Sequence, residues 1–247
     1  MKLLVVVSVA LLTWIGSGKA VAAGAIEDVV FSSSGITLSG NIHFPESRPK
    51  AGLVVIHGSA RKDSVRMSAL AQLLADAGFA VLTYDKRGIG KSGGTFQDSD
   101  DMRAFTLLAE DAAAAFRKLQ AHPRLQGIPL GFLGISQGGW VGPIAATRVE
   151  SAAFMLLWSG PVCTVAEEMH FSAFAAELPD FSMKAESARV RKRMESAPRR
   201  AGDWDPPETL SRLSLPILWI FGERDNSIPV ELSVARLEQM ISPPGRV

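Results

Sequence analysis

The stretch that decides the fold is Ile128-Pro129-Leu130-Gly131-Phe132-Leu133-Gly134-Ile135-Ser136-Gln137-Gly138. Its apolar first half is typical of a buried strand, and a helix is expected to begin at Gln137. Glycines two positions before and after Ser136 permit a turn too tight for side chains, with strained backbone angles at the serine. A G-x-S-x-G pattern between a strand and a helix is a nucleophile elbow. The backbone N–H of Gln137, at the helix N-terminus, is then a candidate oxyanion donor. The alternative is a glycine-rich turn with an incidental serine.

Length and composition favour an ordinary globular protein. The chain has 247 residues, of which 47% are hydrophobic and 21% charged, with a formal net charge of +1. One large α/β domain or two small ones fit this length, and neither disorder nor nucleic-acid binding is favoured. Cys163 is the single cysteine, expected to be a half-buried apolar residue rather than a nucleophile. We expect no cofactor and no metal ion.

Residues 1–23 resemble a signal peptide. Lys2 gives a basic start, Leu3 to Ile15 is apolar, and Ala20-Val21-Ala22 supplies the small residues that signal peptidase prefers. The apolar stretch is shorter than the roughly 20 residues that a membrane span requires. We therefore expect export to the periplasm or the medium, with no membrane attachment after cleavage near Ala22 or Ala23. An uncleaved N-terminal anchor is the alternative.

Residues 24–247 are predicted to form one domain of alternating strands and helices. The expected strands are 27–33 and 36–44 (a hairpin), 53–56, 79–84, the strand before Ser136, 153–158 and 216–221. Helical patterns lie between them, and this order argues for a mostly parallel sheet with helices on both faces. The alternation stops at 161–213, which is predicted to be a helical cap insert. Its basic run at 189–200 is interpreted as the solvated face of a cap helix rather than a polyanion site.

Gly88-Ile89-Gly90-Lys91-Ser92-Gly93 matches the G-x-G-x-x-G pattern of dinucleotide-binding proteins, and its end resembles a P-loop. Both matches fail on context. Asp85 stands where a P-loop needs glycine, and the residues after Gly93 indicate a loop instead of a helix. Nucleotide binding is therefore not expected.

Four segments resemble the α/β-hydrolase superfamily in the right order. Tyr84 to Ser92 is similar to its D-x-R-G-x-G-x-S loop, and His57-Gly58-Ser59 is similar to its H-G-x oxyanion turn. Gly134 to Gly138 matches its elbow, and Gly222-Glu223-Arg224-Asp225 matches its acid-bearing turn. The resemblance runs from about residue 28 onwards. It is strongest to the serine-aminopeptidase-like and dipeptidyl-peptidase-like group, which includes secreted esterases.

The resemblance implies a role for each matched residue. Ser136 would be the nucleophile, and Asp225 the acid that orients a catalytic imidazole. The backbone N–H groups of Gln137 and Ser59 would form the oxyanion hole, and His57 would be structural. Asp225 has an alternative role as a turn or helix N-cap residue. The resemblance also implies that Asp85 and Arg87 organise their loop by hydrogen bonds and an ion pair.

The expected chain order is nucleophile, acid, histidine, but no histidine follows Asp225. The four histidines are His43, His57, His122 and His170. Three explanations compete: the chain is truncated and lacks its last strand and helix, it is a non-catalytic homologue, or His170 supplies the base. Truncation would leave the strand Pro216–Phe221 as an unpaired sheet edge. This chain is accordingly expected to be nearly inactive on p-nitrophenyl esters and to react slowly with a fluorophosphonate.

The leading functional interpretation is a serine hydrolase of carboxylic esters or small acyl compounds. The alternatives are a peptidase of the same fold, an acyltransferase or thioesterase, and a binding protein without turnover. Small acyl or peptide molecules are the expected partners, and the oligomeric state is left open. A pocket-facing patch at Glu167 and Glu168 would favour a substrate with a free amine, although exposed cap charges are the simpler interpretation.

Overall fold

The computed structural model describes residues 3–6, 24–60, 64–98, 100–178, 182–198 and 206–241. The strands are β1 (Leu3–Val6), β2 (Ile26–Ser33), β3 (Ile36–His43), β4 (Ala51–Ile56), β5 (Phe79–Tyr84), β6 (Leu130–Ile135), β7 (Phe154–Trp158) and β8 (Ile217–Ile220). The helices are α1 (Ser64–Asp76), α2 (Met102–Gln120), α3 (Gly138–Ala146), α4 (Val165–Ala175), α5 (Met183–Met194), α6 (Pro206–Ser211) and α7 (Val230–Ile241). A short 3₁₀ turn spans Pro123–Leu125.

The strands form one sheet in the order β1-β8-β7-β6-β4-β5-β3-β2. The pairs β2–β3 and β3–β5 are antiparallel, and the other five neighbouring pairs are parallel. The predicted hairpin at one edge is therefore confirmed, as is the mostly parallel sheet. Since β4, β6, β7 and β8 are parallel, their carboxyl ends meet at the same edge of the sheet.

Both faces of the sheet are covered, as the wholly apolar strand β4 requires. Leu53 and Val55 pack in a cluster with Met67 and Ala71 of α1. Val54 and Ile56 point the other way, into the larger core. That core includes buried side chains of α2, α3 and α7, among them Phe105, Phe116, Ile144 and Leu237. Helices on both faces are thus confirmed.

The segment between β7 and β8 is helical, as predicted for the insert, and contains α4, α5 and α6. A capping box starts α4, in which the Thr164 hydroxyl accepts from the Glu167 N–H and the Glu167 carboxylate accepts from the Thr164 N–H. Arg236 of α7 donates to both carboxylate oxygens of Glu167, at 2.7 Å each. This partly buried ion pair fixes the start of α4 against α7.

The expectation that Pro216–Phe221 is an unpaired edge is wrong. In the structure β8 lies between β7 and β1, because the short apolar segment Leu3–Val6 pairs in parallel with Ile217–Ile220. The rest of the predicted signal segment, residues 1–2 and 7–23, lies outside the described residues. Within the part of the chain that the structure describes, no helix is long and apolar enough to cross a membrane.

Candidate active site

Ser136 occupies the apex of the turn between β6 and α3, with a backbone φ of 52°. Its N–H donates to the Trp158 carbonyl at 3.0 Å, and its own carbonyl accepts from the Gly139 N–H at 2.6 Å. A Cβ atom on Gly134 would collide with the Gly138 carbonyl, and one on Gly138 would collide with the Ile56 carbonyl. Both glycines are therefore sterically required, which confirms the geometric part of the elbow prediction.

Gln137 follows the strained serine and precedes the first residue of α3. Its side chain is buried, while Ser136 is partly exposed. The first backbone N–H groups of a helix have no partner within the helix, and the helix dipole makes this end partially positive. An anion that forms beside Ser136 is consequently stabilised at this end of α3.

The His57-Gly58-Ser59 turn lies directly beside the elbow, because Ile56 of β4 is paired with Gly134 of β6. A Cβ atom on Gly58 would lie 3.3 Å from the Ser136 Cβ and 3.7 Å from its Oγ. Ser59 follows on the exposed side of the turn. His57 is buried, and its ring centroid lies 5.2 Å from that of Tyr84. The structure therefore brings the turn of the predicted oxyanion donor Ser59 next to Ser136.

Asp225 lies in the turn between β8 and α7, at the same sheet edge as Ser136. Its Oδ1 accepts from the backbone N–H groups of Ser227 at 3.0 Å and Ile228 at 2.9 Å. These hydrogen bonds are typical of an aspartate that stabilises a turn, which is the alternative role given for Asp225 in the sequence analysis. They fix one carboxylate oxygen in the turn.

Glu168 of α4 lies close to Asp225. Its Oε1 accepts from the Ser227 hydroxyl at 2.9 Å. Burial raises the pKa of Glu168; the hydrogen bond from Ser227 offsets this in part, and the negative charges of Asp100 and Asp225 add to the rise. Glu167 behaves differently: burial alone would raise its pKa, but hydrogen bonds from Arg236 and Thr164 bring the net pKa below the usual value. Of the two candidate patch residues, only Glu168 is directed towards the predicted acid.

Three of the four histidines have described contacts away from Ser136. His170 lies within hydrogen-bond distance of the Arg193 carbonyl, 3.1 Å from its Nε2, and so faces α5. His122 pairs with Glu27 at 3.0 Å on the hairpin side of the sheet. His43 lies in β3, and its pKa is lowered by burial and partly restored by a hydrogen bond to Gln72. The contacts described for His170 give no support to its candidacy as the base.

The loop after β5 is organised by hydrogen bonds and an ion pair, as the resemblance implied. Asp85 Oδ2 accepts from the Lys91 N–H at 2.8 Å. Arg87 forms a bidentate pair with Asp111 of α2, with Nε–Oδ2 at 2.7 Å and Nη2–Oδ1 at 2.6 Å. Sequence reasoning missed Asp111. The available signal was a carboxylate between Leu108 and Ala112 of the apolar stripe, where an unpaired charge is not tolerated.

Sequence reasoning also missed a series of hydrogen bonds that starts at Lys86. Lys86 donates to the Gly58 carbonyl at 2.5 Å and to Gln137 Oε1 at 3.0 Å. Gln137 Nε2 in turn donates to Asp100. No sequence pattern connects these residues, because they belong to four segments that only the folded sheet brings together.

Cys163 is fully buried, so the expectation of half-burial was wrong. Burial raises the pKa of its thiol well above the usual value, and the charges of Glu167 and Glu168 act in the same direction. Among the residues whose positions are described, no group of three or more histidine, cysteine, aspartate or glutamate side chains could hold a metal ion.

Comparison with known proteins gives concordant matches. A sequence model of the family described as "Serine aminopeptidase, S33" matches residues 47–204. The chain is 24% identical over 220 residues to "Uncharacterized peptidase YtmA" of Bacillus subtilis (strain 168), covering 86% of this chain and 78% of that protein. It is similar to the esterase Pf2001 of Pyrococcus furiosus, with a TM-score of 0.65 and 19% identity over 92% of this chain and 80% of that one. The proline iminopeptidase of Mycobacterium smegmatis matches with a TM-score of 0.59 and 19% identity, over 83% and 84% of the two chains.

Proposed function

Because the chain belongs to the α/β-hydrolase family described as serine aminopeptidase S33, we propose that it hydrolyses carboxylic esters or small acyl compounds through an acyl-enzyme on Ser136. The observation that carries this proposal is the strained serine, with a φ of 52°, between β6 and the start of α3. A strained residue is retained only where the surrounding structure enforces it. Here the enforcement is the close backbone packing around Gly134 and Gly138, which leaves no room for a Cβ atom at either position.

The proposed reaction has two steps. In the first, Ser136 Oγ attacks the carbonyl carbon, loses its proton to a base, and the alcohol leaves with a proton as the C–O bond breaks. In the second, water loses a proton to the base and adds to the acyl carbon, the bond between that carbon and Ser136 Oγ breaks, and the serine regains a proton as the carboxylic acid is released. The tetrahedral intermediate of each step carries a negative oxygen, which the N–H groups of Gln137 and Ser59 would stabilise.

Asp225 is the proposed acid of this mechanism. It follows β8 at the sheet edge that carries Ser136, and its Oδ1 is held in the turn by two backbone N–H groups. A carboxylate fixed in this way could orient an imidazole and stabilise its charged form. The contacts described for His43, His122 and His170 are with other groups, so we propose none of these three histidines as the base.

Labelling with a small fluorophosphonate tests the proposal. Ser136 Oγ would attack phosphorus, fluoride would leave, and the serine proton would pass to a base or to water. We expect one label per chain, lost in Ser136→Ala and located on Ser136 by peptide mass spectrometry. Ser159 gives a matched control, since it also ends a strand with a positive φ of 48° but does not open a helix. Labelling that persists in Ser136→Ala would refute the proposal, and its loss in Ser159→Ala would identify Ser159 as the reactive serine instead.

A peptidase that acts on a free amino terminus is the second candidate, and the position of Glu168 favours it. The curated relative from Bacillus subtilis is named a peptidase. Glu168 places a partly buried carboxyl group beside Asp100 and Asp225, where it could bind a substrate ammonium group. The two candidate functions can be distinguished by comparing the turnover of p-nitrophenyl esters with that of aminoacyl p-nitroanilides. If the peptidase candidate is right, Glu168→Gln lowers turnover of the anilides alone.

We also propose that residues 1–23 direct export and are removed. The basic start, the apolar stretch and the small residues at Ala20-Val21-Ala22 support this. Cleavage would remove β1, and among the described strands β8 would then pair with β7 alone. Intact mass spectrometry of protein recovered from a periplasmic extract should give a new N-terminus near Ala22 or Ala23. A mature protein that retains Met1 to Val21 would contradict export with cleavage.

A further inference from the structure

Lys86 follows β5 and is buried, with 4% of its surface exposed. Its ammonium group lies between two segments of the candidate active site. It donates to the Gly58 carbonyl at 2.5 Å and to Gln137 Oε1 at 3.0 Å. A buried ammonium group is tolerated only where such partners compensate its lost hydration. The placement of this charge is therefore a specific feature of the fold.

The first contact determines the direction of a catalytic N–H group. The Gly58 carbonyl and the Ser59 N–H belong to one peptide unit, which is planar and trans, so the two groups point in opposite directions. When Lys86 holds the carbonyl oxygen, it also fixes the direction of the Ser59 N–H. This peptide begins beside Ser136, since a Cβ on Gly58 would lie 3.7 Å from the serine Oγ.

The second contact fixes the other side of the same site. The Gln137 side chain is held by Lys86 at Oε1 and by Asp100 at Nε2. The backbone N–H of Gln137 is the other proposed oxyanion donor. One ammonium group thus joins the two segments that supply the donors. A charged donor on the Gly58 carbonyl also polarises the peptide, which makes the Ser59 N–H a stronger donor.

We propose that Lys86 is a positioning residue of the oxyanion hole, which orients and polarises the Gly58–Ser59 peptide towards the negative oxygen formed on Ser136. The inference rests on the proposed function, because it requires Ser136 to form a tetrahedral adduct. The mechanism assigns Lys86 no direct contact with the serine oxygen or the substrate. Its effect passes through the peptide.

The test measures the second-order rate of fluorophosphonate labelling of the full chain. Direct removal of one oxyanion donor lowers turnover about 100- to 1,000-fold in serine hydrolases. Because Lys86 acts through the peptide, we expect Lys86→Met to lower the labelling rate about 10- to 100-fold. Lys86→Gln keeps an N–H donor without the charge, so its labelling rate should lie between those of the wild type and Lys86→Met. Lys50→Met is the matched control, since the exposed Lys50 also donates to a backbone carbonyl, that of Ala77 at 3.1 Å, and should keep the rate within about twofold.

A second readout separates positioning from simple structural support. In the labelled protein the phosphoryl oxygen occupies the oxyanion hole, so its ³¹P chemical shift reports the hydrogen bonds there. We expect this shift to change in Lys86→Met and to stay unchanged in Lys50→Met. If Lys86→Met does not fold, as judged by circular dichroism, the comparison is made with Lys86→Gln.

The outcomes distinguish the two proposals. A wild-type chain that is never labelled on Ser136 overturns the proposed function and, with it, the role of Lys86. A folded Lys86 variant with the wild-type labelling rate and ³¹P shift overturns the role of Lys86 alone. A reduced rate with a displaced ³¹P shift supports both.

Discussion

Replacing Asp111 by alanine should destabilise the fold far more than replacing an exposed acidic residue on a helix. Asp111 is fully buried in α2 and accepts two short hydrogen bonds from Arg87, at 2.6 and 2.7 Å. The Arg87 side chain is itself 8% exposed. Its guanidinium would therefore be left buried with its bidentate partner gone, the Leu107 carbonyl at 3.4 Å being a weak substitute.

The magnitude follows from these contacts. Removing one partner of a buried, hydrogen-bonded ion pair typically costs about 3–5 kcal/mol, which is a large part of a total stability of roughly 5–15 kcal/mol. For a chain of this size each kcal/mol corresponds to roughly 2–4 °C in Tm, so we expect a loss of about 6–20 °C. The exposed Arg212–Glu208 pair, with both side chains 67% exposed, is the control. Glu208→Ala should change stability by about 0.5 kcal/mol or less.

The assay is urea unfolding followed by circular dichroism, with Tm from calorimetry. A double variant, Arg87→Met with Asp111→Leu, completes the design, because it removes both charges and leaves apolar groups of similar size. Such replacements are often neutral or stabilising relative to the ion pair. It should therefore recover much of the loss seen in Asp111→Ala. The reasoning is refuted if Asp111→Ala loses no more than Glu208→Ala, or if the double variant is the least stable of all.

Three further predictions concern the site and its surroundings. Gly138→Ala should lose about 1–3 kcal/mol of stability, because the new Cβ atom would collide with backbone atoms. Gly142→Ala should be neutral or slightly stabilising, because the nearest atom to its Cβ lies at 3.5 Å. Thermal unfolding of both variants checks this. The thiol of Cys163, buried and with a raised pKa, should react with a disulfide reagent only after unfolding, and rapid labelling of the native protein would contradict its position. Glu168→Gln should be more stable than wild type at pH 7–8. The pKa of Glu168 is higher in the folded state than in the unfolded state, so the wild type loses stability as the pH rises through the folded-state pKa. The difference should vanish below about pH 4, where Glu168 is protonated in both states.

Much of the fold follows from hydrophobic patterns in the sequence. The wholly apolar run of β4 requires burial on both faces, and the apolar stripe of α2 requires one buried face. Both patterns are local, so a single sequence reveals them. The elbow is equally local, since the glycines at 134 and 138 and the serine between them lie within five residues.

The features that sequence reasoning missed depend on partners far along the chain. The pairing of Leu3–Val6 with β8 was missed because the same apolar residues also suit a signal peptide. Asp111 and Arg87 meet only when α2 packs beside the loop after β5. Lys86 reaches Gly58 and Gln137 only because β4 lies between β5 and β6 in the sheet. Side-chain hydrogen bonds of this kind leave no periodic signature.

The loop after β5 shows how one glycine-rich pattern serves a purpose other than phosphate binding. Gly88 and Gly90 have positive φ values of 70° and 55°, which other residues rarely adopt. A Cβ atom on Gly90 would also collide with the Asp85 carboxylate. That carboxylate accepts from the Lys91 N–H, so an amide that could face a phosphate is already bound within the loop. The glycines allow the loop to close around Asp85.

Three consecutive residues of this loop then connect three parts of the molecule. Asp85 holds the loop itself, Lys86 reaches the two segments beside Ser136, and Arg87 binds Asp111 of α2. Because the three residues are consecutive, we expect that loss of the contact made by one of them shifts the backbone that positions its neighbours. A variant that breaks the Arg87–Asp111 pair should therefore slow labelling of Ser136 as well as lower stability. The rate should fall even at temperatures where the variant is fully folded, because Lys86 would no longer hold the Gly58–Ser59 peptide in place.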